Sequence, residues 1–100
     1  YDPYVPDIIE AYFLAGASDK AVEMTKALSE YYYDQLDYYL KQKLYIVSST
    51  EYEIQTAIQY TSRTAIACEA FGEKELADQI NAKLEDYYSR YLMTQKLSSR

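Results

Sequence analysis

The sequence predicts an all-α fold: four helices arranged as two helical hairpins in one domain spanning 1–100. Three observations predict it. The 100 residues are 49% apolar with only 2 Gly and 2 Pro, and both prolines, Pro3 and Pro6, lie within the first six positions, so nothing beyond Asp7 forbids helix. Apolar residues recur at helical spacing along most of the chain. Finally, the chain matches itself at an offset of 56 positions, each half reading as helix, Gly-marked turn and longer helix.

The first helix is expected from about Pro6 to Ala15, with Pro6 suited to the first turn and Gly16 to the position just past the end. Ile8, Ile9, Tyr12 and Phe13 fall on one face of it. The second is expected to begin with Ser18 or Asp19 as N-cap and to reach about Gln42. At 100° per residue, Ala21, Met24, Leu28, Tyr32, Gln35 and Tyr39 share one arc, with Lys26, Glu30, Asp34, Asp37 and Lys41 opposite. Asp37 and Lys41 have the spacing of a helical acid–base pair. Residues 43–49 (KLYIVSS) contain β-branched Ile46 and Val47 without a strand partner, and read as a fraying end and linker. Hairpin one thus covers about 6–42.

Hairpin two covers about 50–97. Thr50-Glu51-Tyr52-Glu53 matches the T-x-x-E capping box and should open the third helix. Its stripe is Ile54, Ala57, Ile58, Thr61, Ala65, Cys68 and Phe71, and Gly72 ends it. The fourth helix is expected from Lys74 to about Lys96, with Leu76, Ala77, Ile80, Leu84, Tyr87, Tyr88 and Tyr91 facing inward.

In the self-match, GASDKAVEMTKALSEYYYDQL from Gly16 lies over GEKELADQINAKLEDYYSRYL from Gly72 without insertion. Gly16 pairs with Gly72, Ala21 with Ala77, Leu28 with Leu84, Tyr31-Tyr32 with Tyr87-Tyr88 and Leu36 with Leu92. The spacing of Tyr12, Gly16 and Ala21 is tetratricopeptide-like: a tyrosine, a turn glycine and a small residue that lets two helices approach. The second half keeps Gly72 and Ala77 but places Cys68 where the tyrosine would be. Because the usual period of about 34 residues becomes 56, regular stacking of successive hairpins is not expected.

Composition excludes several functions. A net charge of −6, from 16 acidic and 10 basic residues, without a local Lys/Arg cluster, disfavours nucleic acid and anionic membrane surfaces. No stretch approaches the length of a membrane span, so this chain is not expected to insert directly into a membrane. With no histidine there is no imidazole general base and no common zinc site, and two glycines 56 apart make no phosphate loop. The neighbouring carboxylates Asp34/Asp37, Glu51/Glu53 and Glu85/Asp86 read as solvated helix faces. Cys68, the single cysteine, reads as a small buried hydrophobe. The expectation is therefore no catalytic residue, no cofactor and no metal.

The segment EYYYDQLDYYLKQ is the unusual feature. Tyr32 and Tyr39 lie in the core arc, Tyr31 and Tyr38 flank it, and Tyr33 is expected to point away. Most of the run reads as a wall of long core residues whose hydroxyls reach the edge. Tyr31, Tyr33 and Tyr38 are the candidate binding surface for a glycan or an extended peptide.

The combination IIEAYFLAGASDKAVEMTKALSEYYYDQLDYYL with AFGEKELADQINAKLEDYYSRY resembles the C-terminal helical tail of a family of large bacterial multi-pass membrane proteins of unknown function. The membrane part of that family resembles glycosyltransferases that use lipid-linked sugars, protein O-mannosyltransferases among them. The resemblance implies a tetratricopeptide-like appendage on the periplasmic side of a membrane-anchored parent, positioning a protein acceptor or a neighbouring subunit. Catalytic residues would belong to the membrane part, so none is carried onto this chain. The expected function is a non-catalytic protein-interaction or scaffolding domain, a fragment of a longer protein; the alternatives are a carbohydrate-binding module using the tyrosine-rich face, or a dimerisation element.

Overall fold

The computed structural model describes residues 4–41 and 48–98, with side-chain surroundings over 4–41 and 50–93. The chain is all-α, with α1 at Val5–Leu14, α2 at Ser18–Leu40, α3 at Ser48–Ala70 and α4 at Lys74–Ser98. No strand occurs among the described residues. Of the expected linker, 43–47 lies outside the described residues, while Ser48 and Ser49 already belong to α3.

The two glycine turns end α1 and α3 in the same way. Gly16 has φ +81°, its N–H donates to the Phe13 carbonyl at 3.1 Å, and the Ala17 N–H donates to the Tyr12 carbonyl at 2.9 Å. At Gly72, φ is +88°, with matching bonds from Gly72 to Glu69 at 3.3 Å and from Glu73 to Cys68 at 2.8 Å. This is the Schellman pattern, which consumes helix-end carbonyls and requires a left-handed residue. A Cβ at Gly72 would meet nothing within 4 Å, so the cost of Gly72→Ala is that of the backbone alone. We expect it to lower stability by about 1–2 kcal/mol, with Gly72→Asn milder, measured by urea denaturation; an unchanged midpoint for the alanine variant would contradict the cap.

The helix starts differ from expectation. Ala17, not Ser18 or Asp19, is the N-cap of α2 and makes no side-chain cap bond; Ser18 and Asp19 lie in the first turn, where Asp19 is well placed against the helix dipole. Helix α3 begins two residues before Thr50, so the capping-box sequence falls inside it. A capping box stabilises a start only where the preceding residues leave the helix. Here they continue it, and Glu51 instead accepts the Tyr91 hydroxyl of α4 at 2.7 Å.

Burial follows the helical phase of the apolar residues, over a wider arc than one stripe. Ile9, Ala21, Leu28, Ile54, Ala57, Cys68 and Ala77 are fully enclosed. On α2 the buried set also takes in Thr25, Ser29, Leu36 and Leu40, while Met24, Gln35 and Tyr39 are only half-buried. The cause is packing: α2 touches α1, α3 and α4, so more than one side of it is covered. On α3, Thr64 is buried besides the expected stripe. Phe71 stays partly exposed yet stacks flat on Phe13, with ring centroids 5.1 Å apart. Ile8 and Tyr88, both expected inside, are exposed. Cys68 is buried, and its thiol donates to the Thr25 hydroxyl at 3.9 Å, which donates in turn to the Ala21 carbonyl at 2.8 Å. Burial pushes the thiol up from its ordinary value, against a smaller lowering by Thr25, which keeps it protonated and poorly nucleophilic.

Equivalent helices of the two hairpins also touch, α1 meeting α3 and α2 meeting α4, beside the closer packing of α2 on α3. Asp7 of α1 and Arg63 of α3 occupy equivalent repeat positions and form an ion pair. Between α2 and α4, the Tyr33 and Tyr87 rings lie 5.6 Å apart and Arg90 reaches Asp37 at 3.2 Å. Asp37 therefore has an ion-pair partner on α4, in place of the expected Lys41. The long period is absorbed along the hairpin axis, because α2 and α3 have 23 residues each. Lengthening helices in that direction leaves their lateral packing intact.

Candidate binding surface

The short α1 shapes the surface. Its 10 residues span about 15 Å, whereas the 23 of α2 span about 35 Å. The C-terminal half of α2, which carries the tyrosines, thus runs past α1; among the described residues, α3 and α4 are the other helices that α2 touches.

Of the three tyrosines expected to form one surface, Tyr33 lies apart, on the α4 side. Tyr31 and Tyr38 are 39% and 63% exposed. Tyr33 does not point away: it is half-buried against α4, packed on Tyr87, with the Lys83 ammonium 4.9 Å from its ring centre. Phase on a lone helix assigns Tyr33 to solvent, and only the arrival of α4 on that side reverses it. Burial pushes its phenol up, partly offset by the Ser29 hydroxyl beside it.

On the α4 side, Tyr87 sits beneath the Arg90 guanidinium at 4.6 Å, which also contacts Asp37 and Asp86. Its phenol is pushed up to about 12, by burial first and then by the Asp37 carboxylate. Its folded value thus lies above the ordinary value near 10 that an unfolded chain would show. As pH rises, the unfolded chain loses this proton first, so the stabilisation is complete below about pH 10 and is lost through about pH 12. We expect urea midpoints to fall between pH 9.5 and 11.5, and to fall less in Tyr87→Phe; equal slopes for the two proteins would contradict this environment.

On the opposite side of α2, Tyr31 joins residues that the sequence did not suggest. A depression of about 220 Å³ between α2 and α3 is lined by Tyr31, Tyr32, Gln35, Tyr52, Glu53, Thr56 and Tyr60. Tyr31 and Tyr32 meet edge to face at 5.2 Å, Tyr32 and Tyr60 at 6.1 Å, and the Gln35 amide donates to the Tyr31 hydroxyl at 2.9 Å. Tyr52 is 70% exposed. Glu53 also bears on α2: the Tyr39 phenol is raised by burial and then by the Glu53 carboxylate. Tyr52 and Tyr60 were legible only as non-stripe residues of the third helix; that they line one depression with Tyr31 depends on how α2 and α3 pair.

A second depression, about 320 Å³, lies between α1 and α3 near the glycine turns and is walled by Ile66, Ala67, Ala70 and Phe71, with Glu10 and Arg63 at its polar edge. Ile66 is 67% exposed there. One member of each carboxylate pair that sequence spacing brings together has a structural partner: Asp37 and Asp86 hold Arg90, and Glu51 holds Tyr91. Among the described residues no group of three or more His, Cys, Asp or Glu side chains is placed to hold a metal ion, and no helix is long and apolar enough to cross a membrane.

Fold and surface define the class: an all-α protein of two stacked helical hairpins with shallow, aromatic-lined depressions. Comparison with protein-family models, with curated proteins and with solved structures yields no match for this chain.

Proposed function

We propose that this chain is a non-catalytic helical-hairpin module that binds another protein, and that it serves as the extracytoplasmic appendage of a larger membrane protein. The apolar depression between α1 and α3 carries the binding part of this reading. Ile66 stands mostly exposed at its wall, beside Ala67, Ala70 and Phe71, and a large aliphatic side chain left in water next to a concave apolar surface favours a protein contact. The non-catalytic part is supported by the carboxylates already committed to Arg90 and Tyr91 and by the protonated, enclosed thiol of Cys68. The membrane-anchored parent rests on the sequence resemblance alone.

The test places a photo-crosslinking residue at position 66 or, as control, at exposed Lys26, in the protein as expressed by its source cells. A discrete heavier adduct at 66 and none at 26 is the expected result; equal labelling at both, or none at 66, removes the reading. Fractionation of the same cells, with antiserum to this chain, checks the appendage: a species much larger than the chain that pellets with membranes is expected. Light scattering at two protein concentrations separates a hetero-partner from self-association.

A further inference from the structure

We propose that the outer face of hairpin two, on α4, is an open packing surface that takes a helical hairpin of a partner protein, laid on it as hairpin two lies on hairpin one. The internal repeat carries the argument. Tyr32 and Leu36 of α2 are 5% and 0% exposed, whereas their repeat equivalents on α4, Tyr88 and Leu92, are 52% and 45% exposed. Hairpin two accounts for the difference. Its α3 sets Tyr60 against the Tyr32 ring at 6.1 Å, and its α4 sets Tyr87 against Tyr33 at 5.6 Å, so α2 is covered from both. An array of hairpins that closes at hairpin two would carry polar residues on that last face. Here the face carries two large apolar side chains, and Tyr88 borders a depression of about 440 Å³ between α3 and α4.

The same comparison sets the chemistry of the partner. Because Tyr60 lies on Tyr32, the first helix of an incoming hairpin places an aromatic or long apolar side chain on Tyr88. Ser29, buried on α2, lines a depression beside Lys83 of α4. Its repeat equivalent is Glu85, an exposed acid. The second helix of the partner therefore presents a lysine or arginine at the place equivalent to Lys83, within reach of Glu85. A net charge of −6 steers in the same kind of partner. A second copy of this chain does not fit. Its hairpin one would bring Ala27 to the place of Lys83 and Asp34 to the place of Arg90, which leaves Glu85 without a cation and adds an acid to the interface.

This surface shares the protein-binding role proposed above but not the residues that carry it, so the reading at Ile66 can fail while this one holds. The experiment places a photo-crosslinking residue at position 88 or 92, or at exposed Glu23 as control, in the protein as its source cells express it. Mass spectrometry then identifies the attached peptide. One partner protein at both positions is expected, joined through a helical segment that carries an aromatic residue and a lysine or arginine. Glu85→Lys should lower the yield at 88 by about tenfold or more, and Leu92→Ser should act in the same direction. Glu75→Lys, in the first turn of α4, leaves the yield unchanged. Adducts at 88 and 92 no more frequent than at 23, adducts to a second copy of this chain, attachment to a lipid or glycan, or a yield indifferent to Glu85→Lys would overturn the proposal.

Discussion

Leu28→Ala lowers the stability of this protein by about 2–5 kcal/mol, measured by urea or thermal denaturation. The side chain is fully enclosed in the main core, so its loss removes buried methyl groups and leaves a cavity that the surrounding helices only partly close. Leu84, its repeat equivalent, packs in a smaller cluster with Ala65 and Ile80 and retains slight exposure. Leu84→Ala therefore falls at the lower end of that range. Leu14→Ala, at a mostly exposed position, shifts stability by less than about 0.5 kcal/mol. Similar losses for Leu14 and Leu28 would mean that the helical phase assigned here is wrong.

Ala77→Leu destabilises by about 1–3 kcal/mol through the opposite mechanism, overpacking. Ala77 is wholly buried in the main core, as is its equivalent Ala21. Both lie five residues past the glycine of a turn, near the end where the two helices of a hairpin are joined. A leucine there must push α4 away from its neighbour or adopt a strained rotamer. The same substitution at Ala82, exposed on the outer face of α4, changes little. Denaturation of both variants decides the matter; a harmless Ala77→Leu would show that the helices do not meet closely at this level.

These effects were legible in the chain because they depend on local periodicity. Leu28, Ile54, Ile80 and Tyr87 are inside because they fall on helical faces that can be counted from the sequence. The glycine turns were equally legible, since a left-handed residue after a helix is satisfied best by glycine. Other features were not. Leu36 and Leu40 are buried, and Tyr33 turns inward, because α2 is flanked by α3 and α4 as well as by α1. One-helix arithmetic treats the far side of α2 as solvent and has no means of placing another helix there. Ser18 and Thr50 have the chemistry of N-caps, yet the start of a helix also depends on whether the preceding residues join it.

The candidate surface divides along the same line. The unusual density of tyrosine on α2 is a property of the sequence, and Tyr31 and Tyr38 are exposed as their phase implies. That Tyr31 shares a depression with Tyr52, Glu53 and Tyr60, while Tyr33 meets Tyr87 and Lys83, depends on the register of α2 against α3 and α4.

By itself the sequence determined four helices, two glycine-capped turns, the small residues that let hairpins close and the apolar faces that must be buried. Each of these follows from backbone stereochemistry and a period of 3.6 residues, which are local. Tertiary structure alone decided that α2 packs on α3 and also reaches α4, that Asp37 holds Arg90, and that tyrosines of two helices share one depression. Those depend on contacts between residues 20 to 56 positions apart, where the free energy of packing whole helices, not the preference of any segment, selects the arrangement.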